Sequence, residues 1–268
     1  MNLLVTVCGR AGSKGIRGKN FKDFLGKPLL YYTFACIQLY RKRNPENCVH
    51  VALNTDSKEM VSLIKDRTDL EVFVVPRKED LAGDTVSKID VISDTLMEME
   101  SVTERTYDRV LDCDITSPLR TVKDLESLIK KSWEEAYDVV FSVTDSRRNP
   151  YFNMVKRNPD GSVSLVIPGQ YTARQQAPEI FDMNASLYAY RPEFLKSKRM
   201  IFEGRCGIVK MMDTAVLDLD HEHDFELMQI IAKYLFEQYK DFGEIREEID
   251  RFMVTGQVRQ FGASSIVW

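Results

Sequence analysis

The densest chemistry in the chain lies near its amino terminus, in Gly9-Arg10-Ala11-Gly12-Ser13-Lys14-Gly15-Ile16-Arg17-Gly18-Lys19-Asn20. Glycines at 9, 12, 15 and 18 alternate with Arg10, Lys14, Arg17 and Lys19. Glycine permits the positive φ angles that turn backbone N–H groups inward, and it leaves no Cβ in the way of an anion. With the cations added, the loop suits a polyphosphate. It is not a Walker A loop, because no Gly stands five residues before a Gly-Lys-Ser/Thr, and the dinucleotide fingerprint is excluded by the absence of Gly-x-Gly. A solvated basic loop is the plain alternative. Two acid-x-acid pairs follow further on: Asp112-Cys113-Asp114 and Asp218-Leu219-Asp220. Hard oxygen donors of this kind suit Mg²⁺ beside phosphate, or else they cap a helix. His221-x-His223 invites a zinc reading, but histidines two apart on a helix start point in different directions. Cys113 between two carboxylates is a poor nucleophile, since negative charge raises a thiol pKa. No Gly-x-Ser-x-Gly elbow supports hydrolase chemistry.

The elements that must position these groups alternate. Leu3–Cys8 is an apolar, β-branched run that reads as a buried strand and delivers the glycine loop. Lys27-Pro28 opens a helix whose apolar body is Leu29–Leu39. Val49–Leu53 is a second strand, and Asp56 or Ser57 caps a helix running to Lys65. Val72–Val75 is a third strand. Asp84-Thr85 caps a helix in which Ile89, Ile92, Leu96 and Met99 recur at helical spacing. Val110–Cys113 is a fourth strand, Thr121-x-x-Asp124 a capping box, and Val139–Val143 a fifth strand. Such alternation predicts a parallel α/β sheet with right-handed crossovers. Between Thr144 and Met183 the rhythm breaks, leaving a hairpin around Pro159-Asp160-Gly161 and no strong helix. Leu187–Tyr190 and Ala215–Leu219 read as strands, Phe225–Tyr239 as a helix, and a further helix follows Gly243. The apolar end, Ile266-Val267-Trp268, has no assigned place. In such sheets ligands bind outside the carboxyl ends of the strands. The residues to read are therefore the glycine loop, Asn54–Asp56, Asp112–Arg120 and Asp218–Asp224.

At 268 residues with 44% hydrophobic content, the chain reads as one cytoplasmic domain, 1–268, with an arm at about 144–183. No apolar run approaches membrane-spanning length, and no secretory leader precedes Leu3. A net charge of −4 argues against nucleic acid as the main partner. Five cysteines without a CxxC fit a reduced compartment.

Arg10-Ala-Gly-Ser-Lys-Gly-x-x-x-Lys19-Asn20 resembles the signature of the acylneuraminate cytidylyltransferases, the CMP-sialic acid synthetases, with Gly9 where that family usually has Ala. The resemblance continues in patches to about residue 230. Thr116-Ser117-Pro118-Leu119-Arg120 matches the family's Thr-Ser-Pro-Leu-Arg. Arg174-Gln175-Gln176-Ala177-Pro178 and Asn184-Ala185-Ser186-Leu187-Tyr188 are similar to segments that help hold the sugar. Asp84–Lys88 resembles the segment over the cytosine.

The resemblance implies a Rossmann-like, mostly parallel sheet of the nucleotide-diphospho-sugar transferase type with a β-rich dimerisation arm, in a homodimer. It implies a nucleotidyltransferase that joins CTP to a nonulosonic acid and releases pyrophosphate. Gly9, Arg10, Gly12, Ser13, Lys14 and Lys19 would hold the triphosphate, with Arg10, Lys19 and Asp220 in catalytic roles. Asn20, Val86 and Lys88 would lie near the nucleoside, and Asp114, Arg120, Arg174 and Tyr188 would complete the ligand site. Asp218 and Asp220 align with the family's Mg²⁺ ligands. Asp114 stands where the sialic acid enzymes usually carry Gln, Phe152 where they often carry Lys, and Asn184-Ala185-Ser186 where they carry Asn-Gly-Ala. These departures look most like the diacetyl-legionaminic acid branch. A DxD-type glycosyltransferase and a non-catalytic nucleotide sensor are the alternatives.

Overall fold

The structure is a computed structural model that describes residues 1–254 apart from 13–15, 17, 66–70, 84–85, 135–136, 170, 172, 214–218 and 220. β1 (Asn2–Cys8) is buried on both faces, which is why it reads as a continuous apolar run. Its side chains alternate between two cores: Leu3, Val5 and Val7 enter one, and Leu4 the other. The short antiparallel pair β2 (Asp23–Phe24) and β3 (Lys27–Pro28) leads into α1 (Leu29–Arg43), with Pro28 at its N-cap. β4 (Cys48–Thr55), α2 (Lys58–Lys65) and β5 (Phe73–Pro76) follow. Ser57 Oγ caps α2 by accepting from Met60 N at 3.2 Å. Asp56 turns away to the glycine loop, where its Oδ1 accepts from Ala11 N at 2.7 Å.

α3 (Lys88–Thr103) is capped by Ser87, whose side chain accepts from Ile89 N. Ser87 thus takes the cap position expected of Asp84-Thr85, two residues that lie outside the described residues. After β6 (Arg109–Cys113), the capping box of α4 (Val122–Glu134) forms as expected: Thr121 N donates to Asp124 Oδ2 at 2.7 Å, and Asp124 N to Thr121 Oγ1 at 3.3 Å. β7 (Val139–Asp145) precedes the hairpin of β8 (Val155–Arg157) and β9 (Val163–Leu165), antiparallel across the Pro159-Asp160-Gly161 turn. β10 (Phe181–Tyr190), α5 (Pro192–Lys196), β11 (Cys206–Lys210), α6 (Glu222–Gln238) and α7 (Lys240–Val254) complete the described elements. The last described strand is β11, which the sequence did not suggest; the expected strand Ala215–Leu219, except for Leu219, lies outside the described residues, as does the 255–268 tail. A five-residue strand interrupted by Gly207 gives too little pattern to stand out in the sequence.

The main sheet runs β11-β7-β10-β6-β1-β4-β5. All neighbouring pairs are parallel except those of β10, which lies antiparallel between β6 and β7. From β1 the chain moves outward to β4 and β5, then returns to β6 on the other side of β1. This reversal opens a crevice at the carboxyl ends of β1 and β6, where ligands bind in open α/β sheets.

α1, α4, α6 and α7 cover one face and α3 and α5 the other. Buried Glu248 on α7 joins this packing through ion pairs with Lys42 at the end of α1 and with Arg251.

Within β10 the register shifts between Met183 and Tyr188, and Ala185 there has φ +50°. An L residue in this region carries a cost of about 1–2 kcal/mol that glycine avoids, partly offset by the greater unfolded-state entropy of glycine. Ala185→Gly therefore raises stability by about 0.5–1 kcal/mol. A urea midpoint that stays put or falls would show that the bulge is not strained.

Candidate active site

A cleft of about 340 Å³ lies at the crevice. This is within the range of small-ligand sites. One wall is the glycine loop, contributing Gly9, Arg10, Gly12, Lys19 and Asn20. Gly9 N donates to Asn54 O at 3.0 Å, which fixes the loop's departure from β1. A Cβ on Gly9 would come within 2.5 Å of Met60 Cε and 2.7 Å of Ile115 Cδ1, so those side chains account for glycine where the resembled family has alanine. Gly18, at φ +63°, turns the chain into a single 3₁₀ turn, Lys19–Phe21. Asn20 Nδ2 donates to the Arg10 carbonyl at 3.1 Å, closing the loop on itself. Lys19 Nζ donates to Leu219 O at 2.6 Å and ties the loop to the residue between the two carboxyl-terminal acids in sequence. Ser13, Lys14, Asp218 and Asp220 lie outside the described residues.

The opposite wall carries Val86, Lys88, Asp114 and Thr116. Lys88 Nζ pairs with Asp112 Oδ2 at 2.7 Å and with Asp114 Oδ2 at 2.6 Å. Burial alone would lower the Lys88 ammonium, but the two carboxylates outweigh it and hold its pKa well above the ordinary lysine value. For Asp114, burial works upward and is overcome by Lys88 and by the Thr116 amide and hydroxyl, leaving a pKa of about 2. Cys113 is pushed up to about 11 by burial first, with Asp112 adding to it against Arg120. The thiol is inert, as the sequence indicated, with desolvation rather than charge leading.

Two expected ligand residues stand elsewhere. Arg120 is 1% exposed. Its guanidinium donates to the carbonyls of Ser117 at 3.0 Å and Ser186 at 3.2 Å, and also to that of Asp114. It braces the wall from behind and lies outside the cleft lining. Tyr188 is buried on β10 between Phe141 and Tyr190, with ring centroids 6.2 and 5.9 Å away. Its place is in the core beneath the site. Arg174 lies in the 3₁₀ turn Arg174–Gln176, its side chain outside the described residues. The same turn borders a second cleft of about 430 Å³, lined also by Arg148 and Asn149 at the end of β7. Next to it Phe152 sits half-buried in a turn, its N–H donating to Asn149 O at 3.1 Å. Among the described residues, no three His, Cys, Asp or Glu side chains converge as a metal site, His221 and His223 included.

Arg77 was missed in the sequence and lines the main cleft. Its Nε donates to Asn54 Oδ1 at 2.8 Å and its Nη2 to Asn54 O at 3.3 Å, so the guanidinium is held in place. It follows β5 directly, and reading the end of that strand along with the others would have found it.

A sequence profile of the cytidylyltransferases matches residues 4–252. The chain belongs to the cytidylyltransferase family. It is 32% identical over 240 residues to the post-translational flagellin modification protein B of Campylobacter coli, covering 90% of this chain and 99% of that protein. It is 29% identical over 240 residues, with the same coverage, to the CMP-N,N'-diacetyllegionaminic acid synthase of Campylobacter jejuni. Among solved structures, the CMP:2-keto-3-deoxy-manno-octonic acid synthetase complexed with CTP superposes with a TM-score of 0.61 at 15% identity, covering 87% of this chain and 99% of that one. That likeness carries the fold. The enzyme is thus a nucleotidyltransferase, and the glycosyltransferase and sensor readings give way. Among the described residues, no helix of this cytidylyltransferase is long and apolar enough to cross a membrane.

Proposed function

We propose that the enzyme joins CTP to a nonulosonic acid of the legionaminic type, giving the CMP-sugar and pyrophosphate. The observation that carries this is the convergence, in one cleft of a cytidylyltransferase, of Arg10 and Lys19 with the Lys88–Asp114 wall. The name of the Campylobacter jejuni relative supports the sugar class. CTP lies along the carboxyl edge of the sheet. Arg10, Lys14 and Lys19 neutralise the triphosphate, and the Ser13 hydroxyl and the loop amides offer it hydrogen bonds. Asn20, Val86 and Arg77 face the nucleoside. The anomeric hydroxyl of the sugar attacks the α-phosphorus and pyrophosphate leaves. This chemistry depends on in-line positioning and charge neutralisation more than on covalent help.

Asp218 and Asp220 would hold Mg²⁺. Their carboxylates are hard donors that fit this ion. Bound there, the metal supplies positive charge to phosphate oxygens. Arg174 suits the C1 carboxylate through its guanidinium fork, but every such sugar has that group, so discrimination falls to the rest of the pocket. Half-buried Phe152 offers an apolar surface to a side chain that is deoxy at C9 and acetamido at C7.

Pyrophosphate release from CTP and Mg²⁺, with N,N'-diacetyllegionaminic acid or N-acetylneuraminic acid as acceptor, tests the whole reading. The expected result is turnover with both sugars and a higher kcat/KM for the first, by up to roughly 10²-fold, because an apolar pocket rejects an added hydroxyl only that strongly. In the same assay Asp220→Asn shifts the Mg²⁺ midpoint upward. Equal kcat/KM values, or a preference for N-acetylneuraminic acid, would overturn the sugar assignment. No pyrophosphate with either sugar would overturn the reaction.

A further inference from the structure

We propose that the Lys88 ammonium is the resident cation of the Asp112–Asp114 pair, occupying the point where a divalent metal would otherwise be held and leaving that wall of the cleft metal-free. Asp112, the last residue but one of β6, has no exposed surface, and its Oδ1 accepts from Thr6 Oγ1 at 2.9 Å. Asp114 Oδ1 accepts from Thr116 N at 2.8 Å and Thr116 Oγ1 at 2.7 Å. Each carboxylate thus has one oxygen held by neighbouring donors, and the remaining Oδ2 atoms converge. A hard divalent cation is bound by such convergence, at about 2.0–2.6 Å from each oxygen. Here the two oxygens lie 2.7 and 2.6 Å from Lys88 Nζ, which are hydrogen-bonded ion-pair distances.

The side chain that fills the point is fixed at its base. Lys88 is the first residue of α3, directly after the Ser87 cap, so its stem starts from a defined position and reaches the wall. One ammonium N–H donates to Asp114 Oδ2 and a second faces Asp112 Oδ2 as an ion pair. Lys88 lines the cleft, and the third remains for an acceptor oxygen of the bound nucleotide.

The charge balance requires a cation in this position. Two carboxylates this close and this buried repel, and without a partner one would take up a proton or a metal. A tethered ammonium supplies the charge at every metal concentration. It also removes the competition that an Asp-x-Asp pair would offer to a metal ion on Asp218 and Asp220. The ligand named for the third N–H rests on the cytidylyltransferase reading of the cleft. The test does not, because it runs without nucleotide or turnover.

The experiment counts Mn²⁺ bound to the full chain by electron paramagnetic resonance at pH 8, with circular dichroism melts as a folding check. Lys88→Met is expected to bind one equivalent more than the natural chain, and Lys88→Met/Asp114→Asn to lose it again. Lys88→Arg keeps the charge and is expected to gain none. Asp114→Asn alone is expected to leave the Mn²⁺ count of the natural chain unchanged. Equal counts in the natural chain and a folded Lys88→Met would overturn the proposal. A lost equivalent in Asp114→Asn alone would also overturn it, because the pair would then already hold a metal. That last arm keeps Lys88 and decides the matter even where Lys88→Met does not fold.

Discussion

Lys19→Ala lowers turnover by about 10²–10³-fold, and Arg10→Ala does the same, the range typical of losing one preorganised donor to developing charge. Both side chains line the cleft on the loop that follows β1. Neither is fully buried, so truncation leaves no enclosed cavity. Lys19→Ala also gives up the hydrogen bond to Leu219 O, worth about 1.5–3 kcal/mol for a charged donor. It therefore also shows a modest fall in melting temperature. Steady-state pyrophosphate release and circular dichroism melts read the two effects separately. Near-natural turnover in both variants would remove the glycine loop from the mechanism.

Arg120→Met destabilises the fold by about 3 kcal/mol or more, the cost of leaving several buried acceptors without their donor at about 1–3 kcal/mol each. The acceptors are the carbonyls of Asp114, Ser117 and Ser186. Methionine fills much of the volume but donates nothing. For a chain of this size the loss corresponds to a melting temperature lower by roughly 6–12 °C. Because the guanidinium spans the Asp114 carbonyl and the β10 bulge at once, kcat/KM falls as well. Arg120→Lys recovers only part of the stability, since an ammonium cannot reproduce the fork. The opposite pattern, natural melting with only the KM for CTP raised, would return Arg120 to the ligand site, where the family resemblance puts it.

Much of the architecture was legible in local patterns. β1 announced itself as an apolar run, and the glycine loop as alternating glycines and cations. The Thr121–Asp124 box and the hairpin at Pro159-Asp160-Gly161 each depend on residues within a few positions of one another. Period and capping chemistry act over that range, so the sequence displays them directly. The alternation of strands and helices was enough to place the loop at the ligand edge of a parallel sheet.

The roles of the charged residues were not legible in this way. Arg120 and Lys88 have the same sequence character as the cations of the glycine loop. Arg120 is consumed by a carbonyl 66 residues away. Lys88 is neutralised by Asp114, 26 residues away. Arg77 is held in the cleft by Asn54 from another strand. The antiparallel insertion of β10 between β6 and β7 put Tyr188 in the core and gave Ala185 its left-handed backbone. A charged side chain in isolation is equally compatible with solvent, a ligand or a buried ion pair. What separates these outcomes is desolvation set against the partners that packing supplies, and those partners are distant in the chain.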